Sequence, residues 1–110
     1  MAEKIVARDK DHLVQLIKET IEKEGPNCDL NFIDVSLITD MSFMFQDSPF
    51  SGDISNWNVS KVTNMSWMFW ASPFNGDISK WNVSKVSNMW NMFTGSSLEE
   101  SGKLPAWYKG

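Results

Sequence analysis

Asp53 and Asp77 stand 24 residues apart, each directly after a glycine. Carboxylates brought side by side in this way could hold a cation or share a proton. An aspartate after glycine is also the usual acceptor of an Asx turn, and Ser101 follows at the same interval with no further acid to converge. The turn role is therefore the expectation. Asn58-Val59-Ser60, Asn64-Met65-Ser66 and Asn82-Val83-Ser84 match a glycosylation acceptor. Asn58 and Asn82 read more simply as a ladder bonding the backbone of adjacent turns. The single cysteine, Cys28, excludes an intramolecular disulfide and reads as a small buried hydrophobe. The single histidine, His12, excludes a His-rich metal centre and reads as a surface residue at a helix start. Phosphate-binding glycine loops and nucleophile elbows are both missing. No catalytic, cofactor-binding or metal-binding residue is expected, and no cofactor.

Aromatic side chains remain. Phe43, Trp67, Trp70 and Trp90 fall where the sequence pattern varies, whereas the Met and Phe residues beside them recur unchanged. A core ladder requires sameness, and a recognition surface is free to differ. These four form the candidate protein-binding surface, with Trp70 expected at its centre, since large aromatics are the usual anchors of interfaces. The competing reading is that they pack on one another and cover the core.

The elements that position them come from a repeat. Residues 34–57 and 58–81 are identical at 15 of 24 positions, and residues 82–96 match 58–72 at 10 of 15. In the middle copy Thr63 reads as a helix cap. Met65, Met68 and Phe69 then place one apolar face on a helix of one to two turns. Ser72-Pro73 ends it, Asn75-Gly76-Asp77 turns, and Ile78 to Val83 reads as a short extended stretch. A unit this small cannot bury its own face, but stacked copies can. The expected fold is an α/β repeat solenoid, leucine-rich-repeat-like, of about three 24-residue coils of short strand plus short helix.

The first 29 residues read as a β-α cap. Lys4 to Ala7 is an edge strand, with Val6 set 24 residues before Leu30 as though the cap were a modified coil. Asp9 or Asp11 starts a helix with Leu13, Leu16, Ile17 and Ile21 on its apolar face, and Gly25-Pro26 stops it. The solenoid covers 30–96 and a C-terminal cap 97–110, together a single domain. In that cap Leu104-Pro105-Ala106-Trp107 echoes Ile78 to Trp81 two residues late, and its Pro and the Lys109-Gly110 end discourage further stacking. Both ends thus read as closed.

Asp40-Met41-Ser42-Phe43-Met44-Phe45, the run from Phe50 to Ser60, and the second copy through Val83-Ser84 resemble the BspA-like leucine-rich-repeat surface proteins. Leu104 to Tyr108 is similar to endings in that family. The resemblance implies a bacterial solenoid used for adhesion and protein binding at cell surfaces, and hence a surface or secreted location. A net charge of −4 and a pI near 4.8 disfavour nucleic acid and anionic membranes. Only Ile5 to Ala7 is apolar near the start, too short for an export signal or a span, so the default location is cytoplasmic. The expected function is a non-catalytic protein-interaction module with an unidentified protein partner, monomeric or weakly self-associating. The alternative is a self-associating structural element with no foreign ligand.

Overall fold

The computed structural model describes residues 4–109, so residues 1–3 of the expected cap and Gly110 at the other end lie outside the described residues. The regular elements are β1 (Ile5–Val6), α1 (Lys10–Glu24), β2 (Ile33–Asp34) and α2 (Ser97–Glu100). α1 begins where the Asp9 carboxylate accepts the His12 N–H at 2.9 Å. It stops at Gly25, whose φ of 92° leaves the helix while its N–H still reaches the Ile21 carbonyl. Leu13 and Ile17 are buried, and Leu16 and Ile21 flank them. Thr20 is buried in the same face because its hydroxyl donates to the Leu16 carbonyl at 2.7 Å. No helix among the described residues is long and apolar enough to cross a membrane.

β1 lies parallel to β2, with Ile5 beside Ile33 and Val6 beside Asp34. Val6 is therefore not the counterpart of Leu30, and the cap does not follow the spacing of the repeat. Its longer helix shifts the register.

Between β2 and α2 the expected short helices are replaced by pairs of tight turns. The amides of Met44, Met68 and Met92 bond the carbonyls of Met41, Met65 and Met89 at 3.1–3.3 Å. Those of Ser48, Ser72 and Ser96 bond Phe45, Phe69 and Phe93 at 3.0–3.3 Å. The third residue of each turn has positive φ: 60°, 59° and 55° at Phe43, Trp67 and Asn91, and 58°, 53° and 71° at Asp47, Ala71 and Gly95. That is the requirement of a type II turn and is incompatible with an α-helix. Asp40, Asn64 and Asn88 accept the amides two residues on (Ser42, Ser66 and Trp90) at 2.8–3.0 Å and so open the first turn of each run. Thr63, expected as a helix cap, instead donates its hydroxyl to the Thr39 carbonyl of the preceding repeat at 3.2 Å.

The turn pairs free every second amide to bond along the stack. Met41, Phe43 and Phe45 donate to the carbonyls of Asn64, Ser66 and Met68, at 2.9–3.1 Å. Met65, Trp67, Phe69 and Ala71 donate to Asn88, Trp90, Met92 and Thr94, at 2.8–2.9 Å. In the turn runs these amides all point toward the C-terminal end, and the carbonyls that receive them all point back. Parallel pairing is reduced to single bridges at Asp29–Asp53, Asp40–Asn64 and Asn64–Asn88. The stretch expected as extended, Ile78 to Val83, turns at once, Trp81 N–H bonding the Ile78 carbonyl at 3.2 Å.

Equivalent aromatic residues stack through the core. Phe45–Phe69 and Phe69–Phe93 have centroids 5.4 Å apart, Phe50–Phe74 5.8 Å and Trp57–Trp81 6.5 Å. Each buried indole N–H needs an acceptor. Trp57 finds the Leu30 carbonyl at 2.9 Å, Trp81 that of Ile54 at 3.1 Å, and Trp107 that of Ile78 at 2.9 Å. Trp107 also stacks on Trp81 at 6.4 Å, the late counterpart its sequence spacing suggests. Layers meet so closely at Gly52 that a Cβ there would lie 1.8 Å from the Cys28 carbonyl oxygen.

Candidate interaction surface

The polar candidates are used up by the turns. Asp53 accepts the Ser55 amide at 2.9 Å and its hydroxyl at 2.7 Å; Asp77 does the same with Ser79 at 2.9 and 2.6 Å. The Ser55 amide and then its hydroxyl hold the Asp53 carboxyl below the usual range, and the Ser79 hydroxyl and then its amide do so for Asp77. The two aspartates are electrostatic neighbours, since Asp53 opposes part of that fall in Asp77. Asn58 and Asn82 do not bond adjacent coils as expected. Each accepts the amide two residues on within its own coil, Ser60 and Ser84, at 3.1 Å. Cys28 is buried, and burial pushes its thiol up, away from the reactive thiolate. His12 accepts the Arg8 N–H on Nδ1 at 3.0 Å, closing the turn before α1.

Phe43, Trp67, Trp70 and Trp90 do converge. Trp67 is the centre, in place of Trp70. Phe43 stacks on it at 6.2 Å and 3°, Trp70 meets it edge-on at 5.5 Å, and Trp90 at 6.4 Å. Phe43 and Trp67 stand out from the core because they occupy the positive-φ corners of their turns. That conformation costs a side-chain-bearing residue about 1–2 kcal/mol, which the stacked layers must over-determine. Trp90 follows a different rule. It takes the place of the buried Ser42 and Ser66, yet it is 72% exposed because no further turn run covers it. Phe43 is 51% exposed, and Trp67 and Trp70 are half-buried between them.

Sequence reasoning missed the edge beside Trp90. Val59, Val62 and Met65 are fully buried under the next layer, while their counterparts Val83, Val86 and Met89 are only partly covered. The visible signal was the end of the 24-residue identity at Ser96. Together with Trp107, Tyr108 and Lys109 these residues line an open groove of about 370 Å³.

No curated protein and no solved structure is significantly similar to the chain. A family model described as "Mycoplasma protein of unknown function, DUF285" matches residues 14–107. That match takes in α1 from Val14 onward, the three turn runs and the Trp107 rung alike, and the chain belongs to the DUF285 family.

Proposed function

We propose that the protein is a non-catalytic protein-interaction module, a small capped repeat solenoid of leucine-rich-repeat kind. Its contact face is Phe43, Trp67, Trp70 and Trp90. Trp90 carries the reading: a tryptophan 72% exposed, continuous with three further aromatic rings, is an anchor that the described residues leave largely uncovered. Phe43 and Trp67 turn their faces toward each other and their edges outward. Such outward ring edges accept apolar peptide side chains better than the flat ring of a sugar. The resemblance to BspA-like repeats supports protein contact, with adhesion as its biological form. The saturated Asp53 and Asp77 support the non-catalytic assignment.

The test pairs a melt with a titration. Trp90→Ala should lower stability by less than about 1 kcal/mol, as at surface sites. It should weaken binding of the partner captured by the parent chain by about 2 kcal/mol or more. Sedimentation at rising concentration shows whether that partner is a second copy. Undiminished binding by folded Trp90→Ala and Trp67→Ala variants would place recognition elsewhere.

A further inference from the structure

The edge of the third turn run offers donors without acceptors. In the two preceding runs the amides at the first and third positions, Met41 and Phe43, then Met65 and Trp67, each bond a carbonyl of the next layer. Their counterparts Met89 and Asn91 have no hydrogen-bond partner among the described residues, and both are partly exposed. Of the next amides in the row, Gly95 donates to the Glu99 carboxylate at 2.9 Å, and Phe93 is buried with Tyr108 edge-on against its ring at 5.0 Å. The fourth layer is thus half built: Trp107 fills its indole rung, and the space beside Val83, Val86 and Met89 is the open groove.

We propose that this half-layer is completed in trans by a segment of another polypeptide that has the repeat's own Val-x-x-Val-x-x-Met spacing and takes up the turns of residues 83–92. Its carbonyls accept the Met89 and Asn91 amides, and its two valines and methionine cover Val83, Val86 and Met89. As in strand addition, backbone groups of an open edge are paired, here by a turn run in place of a strand. A two-fold-related copy does not fit, since it would set donors against donors. A head-to-tail copy does not fit either, because α1 lies across the opposite edge, with Lys10 bonded to Ser42 at 2.9 Å. The occupant is therefore a segment whose own layer is not closed by such a helix. This edge adjoins the aromatic face at Trp90 but is built from the Met89 and Asn91 amides and the groove of Val83, Val86 and Met89, so a variant at Trp67, outside the groove, tells the two readings apart.

The probe is an acetylated, amidated peptide with the sequence of residues 82–92, the segment that covers the second layer within this chain. Added to the ¹⁵N-labelled full chain, it should shift the Met89 and Asn91 amides saturably and slow their hydrogen exchange. A scrambled peptide should do neither. Val86→Asp sets a charge in the groove and should weaken the peptide by about tenfold or more while the melt stays close to the parent. Trp67→Ala should leave peptide affinity within about threefold, because Trp67 does not line the groove. The proposal is overturned by the absence of saturable shifts at Met89 and Asn91, by equal binding of the scrambled peptide, or by shifts confined to Phe43, Trp67 and Trp70.

Discussion

Ala71 stands at φ 53° in the second turn of the middle repeat, where the next repeat has Gly95 at 71°. An L-residue held there carries about 1–2 kcal/mol of strain that glycine does not. Glycine in turn loses about 0.5–1 kcal/mol more backbone entropy on folding. Ala71 is exposed, so its methyl group adds little burial. Ala71→Gly should therefore stabilise the protein by about 0.5–1 kcal/mol, or roughly 2–8 °C in the thermal midpoint of a chain this size. Were residues 65–72 the helix that Met65, Met68 and Phe69 predict, the same change would cost about 1 kcal/mol. The two geometries give opposite signs. Gly95→Ala is the mirror experiment: a methyl group there would meet nothing nearer than 3.8 Å, so a loss of about 1 kcal/mol would be conformational alone. Thermal and urea melts with an unchanged m value are the assay. A lowered midpoint for Ala71→Gly would refute the turn geometry and its account of why Phe43 and Trp67 project.

Phe69, fully buried between Phe45 and Phe93, should cost about 3–5 kcal/mol on truncation to alanine, and a midpoint within a few degrees of the parent would remove it from the core. Gly52→Ala should be far more damaging in urea melts than Gly76→Ala. The first meets the rigid Cys28 carbonyl at 1.8 Å, the second the end of the Phe74 ring at 2.8 Å; equal losses would contradict that contrast. Acid should unfold the protein through its turn aspartates. Asp34, Asp53 and Asp77 have carboxyls held low by the serines two residues on, so their contribution is complete above the unfolded value of about 3.9 and is lost as pH falls through the lower folded values. The midpoint should be flat from about pH 5 to 7 and drop below about pH 4, and Asp53→Asn should lessen that drop.

The period, the Phe and Trp ladders and α1 were legible because each rests on residues whose identity recurs or whose caps are explicit. The turn runs were not. Met65, Met68 and Phe69 reach the core from two type II turns as well as from a helix, so apolar spacing could not separate them. What distinguishes them is the occurrence of Gly95 and Asp47 at one position, residue types that tolerate a positive φ. The register of β1 escaped for another reason: it is set by how α1 packs over the first layer, a tertiary matter. The four surface aromatics were found together, but their centre was misplaced at Trp70 because the helical reading set Trp67 one turn before it and Trp90 one coil away, whereas the turns bring all three rings onto Trp67.

From Met41 to Phe45 and from Met65 to Ala71 the amides that bond along the stack point one way and the carbonyls that receive them point the other, while only the flanking amides of Thr63, Ser87, Asn88 and Ser97 point back. Ordinary sheets largely cancel their peptide dipoles by alternation; these runs add theirs, as a helix does along its axis. The molecule then has a negative pole at the α1 side of the first run and a positive pole beside Trp90. Its charges are placed accordingly, Lys10 at the first pole, bonded to Ser42 and Asp40, and Glu99 at the second, bonded to the Gly95 amide. A field of this direction favours anionic groups over cationic ones at the Trp90 end, even though the chain as a whole is acidic.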